Sequence, residues 1–203
     1  MNQIVSPNFA VPPLDAVTRA KLLPLPEQIE TERLLLLAVD AAHVDETFAA
    51  AYESREELGP WMAWANPVPT IEGVSVHHAV ARQNWYARER LEFCIVEKAG
   101  GKFVGNCAFH HIDWTVIKLE IGYWLRSSAS GKGYCTEAVN GLIAFAKQEL
   151  HASRLEIGND TRNFKSRAVA ERCGFTLEGT LKQNMRAPDG SLRDSCMYAL
   201  VLT

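Results

Sequence analysis

The sequence predicts a single α/β domain with a mixed central β-sheet of about seven strands, flanked by about four helices. Three observations support this fold class. The chain has 203 residues, which suits one domain with a sizeable core. Strand-like and helix-like spacings of apolar residues alternate in the order β-α-α-β-β-β-α-β-α-β-β. A glycine-containing loop at residues 131–133 leads directly from a strand into a helix.

The first 28 residues are predicted to form a proline-rich N-terminal extension to a folded domain at residues 29–203. Prolines at positions 7, 12, 13, 24 and 26 prevent a long helix or strand from running through this segment. The extension either packs on a neighbour or stays mobile. The oligomeric state is open, with a homodimer that exchanges the extension as one alternative.

The domain begins with one strand and two helices. Residues 30–39 carry an aliphatic run and are predicted to form the strand. Asp40 is a suitable N-cap for a helix that continues to Tyr52, and Gly59-Pro60 ends it. A second helix is expected over residues 70–90, with its first residue, a threonine, as the N-cap.

Three strands and a third helix follow. Residues 91–97 and 103–112 are expected to form a hairpin through a Gly-Gly turn, and residues 116–125 form the next strand. Residues 136–150 then carry an amphipathic helical pattern.

The chain is predicted to end with three strands and one helix. A short strand at residues 154–157 precedes a helix at residues 163–173, which a glycine ends. Strands at residues 175–182 and 195–202 flank a Pro-Asp-Gly turn.

Composition excludes several classes of protein. Apolar residues make up 47% of the chain, which is too many for a disordered protein. The formal net charge of −3 gives no basic field, so no direct contact with nucleic acid is expected. The longest aliphatic run, residues 34–39, is far shorter than the roughly 20 residues of a membrane helix, so no membrane association is expected.

The expected compartment is the cytoplasm. The N-terminus lacks the charged region and apolar stretch of a secretory signal. The five cysteines are widely spaced and form no C-x-x-C pair, which indicates neither a disulfide framework nor a zinc site.

The loop at residues 131–133 is a candidate anion site. Gly131 and Gly133 allow a tight turn and leave the backbone amides accessible, and the first amides of the following helix have no partner within it. The alternative is a turn that binds nothing. A Walker A loop needs Ser or Thr where Gly133 stands, and the dinucleotide fingerprint needs glycine at Thr136, so neither motif fits.

Residues 131–138, GKGYCTEA, resemble the acetyl-CoA loop of the GNAT N-acetyltransferases. Four further segments are similar to the RimJ/RimL-type ribosomal-protein N-terminal acetyltransferases, and the match covers residues 29–202. These segments are TERL at 31–34, PWMAW at 60–64, IGYWL at 121–125, and residues 163–179. The resemblance implies a GNAT-type fold and an enzyme that transfers acetyl directly from acetyl-CoA to an amine, without a metal.

The resemblance also implies where acetyl-CoA binds. Residues 123–126 are expected to diverge from the next strand, and a backbone N–H near Trp124 or Leu125 to polarise the thioester. The diphosphate is expected on the amides of residues 131–136. The implied cofactor-binding residues are Trp124, Leu125, Arg126, Gly131, Lys132, Gly133, Tyr134, Cys135, Thr136, Asn163 and Ser166.

Glu120 is the candidate general base. Alternation along its strand places it on one face with Lys118 and Trp124, and many GNAT enzymes have a glutamate beside the amine at this position. The alternative is a solvated carboxylate paired with Lys118. Glu178 is the second candidate on the acceptor side, with a simple strand-end charge as its alternative.

Ser166 is the candidate general acid, since it matches a serine of the family. The alternative role is local, because Asn163 caps the helix and Ser166 lies in its first turn. Two positions depart from the family pattern. Ala170 stands where many GNAT enzymes have a tyrosine that protonates the leaving thiolate, and Met185 stands where this branch has a glutamate implicated as a base.

Trp61 and Trp64 are implied to line an acceptor groove, with core positions as the alternative. His77-His78 and His110-His111 are adjacent pairs, which point to opposite faces of a strand or lie apart on a helix. No metal site is therefore expected. His110 or His111 could border the acceptor pocket, as an alternative to a surface or packing role.

Three functions stay open. The favoured one is acetyl transfer to a protein N-terminal α-amine, whose pKa of roughly 7.7–8.0 requires only modest help from a base. The second is the same chemistry on a small-molecule amine, such as an antibiotic or a polyamine. The third is a non-catalytic protein that binds acyl-CoA.

Overall fold

The computed structural model describes residues 15–22 and 24–202. The strands are β1 Gln28–Glu30, β2 Leu34–Ala38, β3 Leu91–Glu97, β4 Phe103–Asp113, β5 Lys118–Leu125, β6 Arg154–Asp160, β7 Thr176–Arg186 and β8 Leu192–Val201. The α-helices are α1 Ala16–Leu22, α2 Val44–Glu53, α3 Arg55–Leu58, α4 Ile71–Ala87, α5 Tyr134–Gln148 and α6 Phe164–Arg172.

Across these described ranges the strands form an eight-stranded mixed sheet in the order β1-β2-β3-β4-β5-β6-β8-β7. Neighbouring strands are antiparallel except β5 and β6, which are parallel. The predicted α/β class and mixed sheet are confirmed. The additional strand is β1, which lies almost wholly before the segment predicted as one strand at residues 30–39 and pairs with β2 as an antiparallel hairpin.

Glu137 of α5 holds the turn that joins β1 to β2. Its carboxylate accepts hydrogen bonds from the Thr31 hydroxyl at 2.6 Å and from the Arg33 amide and Nε at 2.7 Å each. Residues 31–33 form this turn of the hairpin, and the bonds attach it to the start of α5. The helix lies close to them, because a Cβ on Gly141 would be 2.9 Å from Thr31 Cγ2.

Pairing between β5 and β6 is short. It joins Lys118–Glu120 to Arg154–Glu156 and then stops. Beyond this point β5 continues against β4 as far as Leu125, whereas β6 continues against β8 as far as Asp160. The two parallel strands therefore separate after Glu120, so the divergence begins at residue 121, two residues before the expected start at residue 123.

The helices cover both faces of the sheet. Phe93, Ile95 and Phe109 pack in one apolar cluster with Phe145 of α5. The alternate residues of β3, Cys94 and Val96, pack on the opposite face with alanines of α2 and α4. Trp85 of α4 is buried and contacts the Phe93 ring edge-on at 5.1 Å between ring centroids.

The segment predicted as an extension is partly described. Residues 1–14 and 23 lie outside the described residues. Val17 of α1 packs against the main apolar cluster, and Leu25 is buried in it. The boundary at residues 28 and 29 and the homodimer stay predictions. Of the helices in the described part of the chain, none is long and apolar enough to cross a membrane.

Glu137→Ala is expected to lower the free energy of unfolding by about 2–3 kcal/mol, because it leaves the Arg33 amide and the Thr31 hydroxyl without their carboxylate acceptor. Urea denaturation measures the change. Glu149→Ala is the control, since Glu149 is exposed just after the same helix. Equal losses of stability in the two variants would contradict this role of Glu137.

Candidate active site

A cavity of about 930 Å³ opens where β5 and β6 separate. Its walls come from the segment between α3 and α4, from β3 to β6, and from α6, β7 and β8. The cavity brings together six of the residues predicted to be catalytic, cofactor-binding or acceptor-binding: Trp61, Trp64, Glu120, Trp124, Asn163 and Ser166. Leu125, Arg126, residues 131–136 and Glu178 lie outside its walls.

Glu120 is the last residue of β5 that pairs with β6, so its side chain lies where the strands part. A Cβ on Gly158 of β6 would be 2.9 Å from Glu120 Oε1, which shows that the carboxylate leans across β6. Its other oxygen lies 2.8 Å from His111 Nδ1. Lys118, the partner considered in the sequence, instead pairs with Glu156 at 3.3 Å.

The two adjacent histidines of β4 do not point to opposite faces as expected. The pairing of β4 with β5 is irregular between His110 and Asp113, and His111 has a φ of 47°. The bulge turns both rings toward Glu120, with Nδ1 atoms 3.2 Å apart and ring centroids 4.7 Å apart. Burial lowers the pKa of His110 to about 4, so its imidazole is neutral at neutral pH.

On the other side of β5, Ser166 lies beside Asn163 and Tyr123. Asn163 Oδ1 accepts the Ser166 amide at 3.1 Å, which is the helix cap expected from the sequence. The Tyr123 hydroxyl lies 3.0 Å from both the carbonyl oxygen and Oγ of Ser166. Burial raises the pKa of Tyr123, so this hydroxyl stays protonated and able to donate. Sequence reasoning gave Tyr123 no chemical role.

The predicted anion loop has the backbone conformation that its glycines permit. Gly131 and Gly133 have φ values of 78° and 80°, and Gly133 caps α5 without a side-chain hydrogen bond. The amides of the first turn of α5 therefore have no partner within the helix. These free donors at a helix N-terminus fit a diphosphate.

The side chains around this loop hydrogen-bond to other groups of the protein. Arg33 donates to the Lys132 carbonyl at 3.0 Å and stacks on the Tyr134 ring, whose hydroxyl donates to Glu97. Cys135 is partly buried, and this burial raises the pKa of its thiol to about 12, so the thiol is not a nucleophile. Thr136 Oγ1 accepts from Arg172 Nε at 3.3 Å. Sequence reasoning missed Arg33, although its TERL segment was noted.

The side chains of Arg126 and Leu125 also contact other groups of the protein. The Arg126 guanidinium donates to Glu53 at 2.9 Å and to the Phe103 carbonyl at 3.2 Å, and its amide donates to Val104. The hydrogen bond from Arg126 lowers the pKa of Glu53 to about 2. Leu125 packs against the main apolar cluster. The side chain of Arg126 thus anchors the end of β5 to α2.

Glu178 is not brought to the cavity. Arg154 binds it through two nitrogens, at 2.9 and 2.5 Å, and the carboxylate is exposed. This arrangement agrees with the alternative of a strand-end charge.

A second glutamate of the cavity was not found from the sequence. Glu92 of β3 is only 4% exposed, and it contacts His77 Nε2 at 2.9 Å, Arg90 Nε at 2.7 Å and Asn106 Nδ2 at 3.3 Å. Burial alone would raise its pKa, but His77 and Arg90 together lower the pKa to about 2. The sequence did contain a signal for Glu92, because a glutamate at this position interrupts the apolar pattern of residues 91–97.

The tryptophans form an aromatic wall. Trp64 lies 5.3 Å from Trp124 between ring centroids, and Trp124 lies 6.1 Å from Phe103. Trp64 remains 40% exposed, so it is a surface of the cavity and not a core residue. Trp61 also lines the cavity. Both residues are therefore placed where they can contact an acceptor.

Comparison with known proteins identifies this arrangement. The family model described as the acetyltransferase (GNAT) domain matches residues 33–176. The chain belongs to the GNAT acetyltransferase family. It is an acetyl-CoA-dependent N-acetyltransferase, and acetyl-CoA is its co-substrate.

Three relatives of this GNAT enzyme are informative. The ribosomal-protein-serine acetyltransferase of Escherichia coli (strain K12) is 31% identical over 160 residues, covering 75% of this chain and 84% of that protein. RimL, a ribosomal L7/L12 alpha-N-protein acetyltransferase solved with coenzyme A, has a TM-score of 0.82 and 26% identity, covering 87% of this chain and 98% of RimL.

The third is the microcin C7 self-immunity acetyltransferase MccE, solved with acetyl-CoA and AMP. It has a TM-score of 0.80 and 29% identity, and the alignment covers 84% of this chain and 93% of that one. This fold is thus shared by a ribosomal-protein N-terminal acetyltransferase and by a self-immunity acetyltransferase.

The His77–Glu92 contact predicts a pH dependence of stability. The hydrogen bond that His77 donates to the Glu92 carboxylate raises the pKa of His77 above its ordinary value. The contact therefore stabilises the fold fully below the pKa of the unfolded histidine, and this contribution is lost as the pH rises through the folded pKa. His77→Gln should destabilise the protein at about pH 5.5 and have a smaller effect at about pH 9.

Urea denaturation at the two pH values measures this difference. NMR titration of His77 provides the control, because Glu92→Gln should return its pKa toward the ordinary value. A destabilisation by His77→Gln that does not change with pH would contradict the prediction.

Proposed function

We propose that this GNAT enzyme acetylates the α-amino group of a protein N-terminus. The observation that carries the proposal is the position of Glu120, between the separating strands and beside a cavity of about 930 Å³ with an aromatic wall. Similarity to the ribosomal-protein-serine acetyltransferase supports the same acceptor class. An α-amine also suits a single carboxylate base, because its pKa of roughly 7.7–8.0 leaves a useful neutral fraction at physiological pH.

The carboxylates of the cavity differ in how they are neutralised. Glu92 is held by His77 and Arg90, and Asp160 is held by Arg162 at 2.7 Å. The contact found for Glu120 in the described residues is with an imidazole, His111. Glu120 is therefore the carboxylate with negative charge to offer an ammonium group, and we assign it the role of general base.

The steps of the proposed acetyl transfer use groups on both sides of β5. Glu120 accepts a proton from the ammonium group, and the freed amine attacks the thioester carbonyl carbon. A backbone N–H near Trp124 or Leu125 stabilises the negative charge on the carbonyl oxygen. The nitrogen of the tetrahedral intermediate still carries an extra proton, which passes to the Ser166 hydroxyl as the carbon–sulfur bond breaks. Ser166 in turn gives its own proton to the leaving thiolate, so the serine remains neutral. Tyr123 hydrogen-bonds to Ser166 and holds it in place.

A small-molecule amine is the second candidate acceptor. The structural similarity to MccE, solved with acetyl-CoA and AMP, favours it. The partly exposed Trp64 beside Trp124 offers an aromatic surface to a planar ligand.

Acceptor screening tests the proposal. Peptides with free α-amines should be acetylated faster than peptides with blocked N-termini and free lysines, because the neutral fraction of a lysine amine at pH 7 is roughly 10²–10³-fold smaller. Thiol release from acetyl-CoA and mass spectrometry of the products measure the rates. Turnover confined to small amines would favour the second candidate and contradict the first.

Glu120→Gln and Ser166→Ala are each expected to lower kcat by about 10²-fold or more, because each removes a proton-transfer group and leaves the diphosphate loop intact. The KM for acetyl-CoA should change little. Steady-state kinetics with the best acceptor measure both constants.

Glu178→Gln is the matched control for Glu120→Gln, since it makes the same substitution outside the cavity. It should leave kcat close to the wild-type value. A large loss of kcat in Glu178→Gln together with a normal kcat in Glu120→Gln would reverse the assignment of the base.

A further inference from the structure

The bulge in β4 places three metal-ligating side chains together. His110, His111 and Glu120 each present one ligand atom, and these atoms all lie within 4.8 Å of one another. A regular strand would point the two histidines apart. Here a non-glycine residue, His111, adopts a φ of 47°, and both rings face the same carboxylate.

The distances suit a metal ion. His110 Nδ1 lies 3.2 Å from His111 Nδ1, which lies 2.8 Å from Glu120 Oε2. Ligands of a tetrahedral Zn²⁺ site, with metal–ligand bonds of about 2.0–2.1 Å, lie roughly 3.3 Å apart. Small adjustments of side chains therefore bring the three atoms to one coordination sphere.

Hydrogen bonding accounts for this cluster less well. A neutral imidazole nitrogen carries either a proton or a lone pair. If His111 Nδ1 carries the proton, that one proton is shared between the Glu120 carboxylate and His110 Nδ1. A divalent cation would instead accept a lone pair from each of the three atoms.

The cluster is accessible from solvent. The His111 side chain is 78% exposed, and all three residues line the cavity. Three protein ligands leave a fourth tetrahedral position for water, directed toward the cavity. Two imidazoles and one carboxylate form a ligand set that suits Zn²⁺ and similar borderline divalent ions.

We propose that His110, His111 and Glu120 form a binding site for a divalent transition-metal ion of the Zn²⁺ class. Binding itself does not depend on the proposed acceptor. Metal binding and proton acceptance would exclude each other at Glu120, so the ion would inhibit acetyl transfer. That consequence alone rests on the proposed function.

Titration with Co²⁺ tests the site directly, because tetrahedral Co²⁺ has strong visible absorption and needs no acetyl acceptor. Tag-free protein is first treated with a chelator. We expect one Co²⁺ per chain, displacement by Zn²⁺, and no thiolate-to-cobalt charge-transfer band, because the ligands are nitrogen and oxygen. His111→Asn and Glu120→Gln should each weaken Zn²⁺ binding at least about tenfold in calorimetry.

His151→Asn is the matched control. His151 is also exposed and has a φ of 53°, and asparagine tolerates this backbone conformation at both positions. The control should retain wild-type affinity. Circular dichroism verifies that each variant is folded. Three results would each overturn the proposal. These are the absence of Zn²⁺ binding, a thiolate-to-cobalt band, or equal Zn²⁺ affinity of His111→Asn and the wild-type protein.

Discussion

The parallel pairing of β5 and β6 stops after three residues, and the architecture of the active site depends on this constraint. Each strand finds a different antiparallel partner beyond that point, β4 for one and β8 for the other. The backbone groups that face the gap are left without a strand partner, in a cleft open to a substrate. Glu120 is the last paired residue of β5, so its carboxylate is fixed at the start of the gap.

Around the loop at residues 131–133, side chains supply rigidity, and the backbone presents helix-start amides that have no partner within α5. Glu137, Arg33, Tyr134 and Glu97 connect the start of α5 to the first strands through hydrogen bonds and stacking. Arg126 and Glu53 fasten the end of β5 in the same manner. Because these side chains bond to one another, the amides of the loop remain available, and their positions are set before a ligand binds.

The cavity contains several ionisable groups whose roles are separated by their partners. Glu92 is buried with two basic neighbours and keeps a low pKa, which makes it a structural anion. Glu120 has an imidazole neighbour and lies where the strands diverge. Tyr123 and Ser166 occupy the opposite side of β5, so the hydroxyl proposed as the acid is separated from the carboxylate proposed as the base.

The sequence alone determined the α/β class, most strands and helices, the glycine loop and the faces of β5, since these depend on local spacing. Tertiary structure decided what depends on distant contacts. Glu137 holds the turn between β1 and β2 from more than 100 positions away in the chain. A bulge turns His111 toward Glu120 against the alternation rule, and Glu92 meets His77 only when α4 packs on β3. Spacing rules describe regular elements, and these features arise where an element is broken or meets a residue far away in sequence.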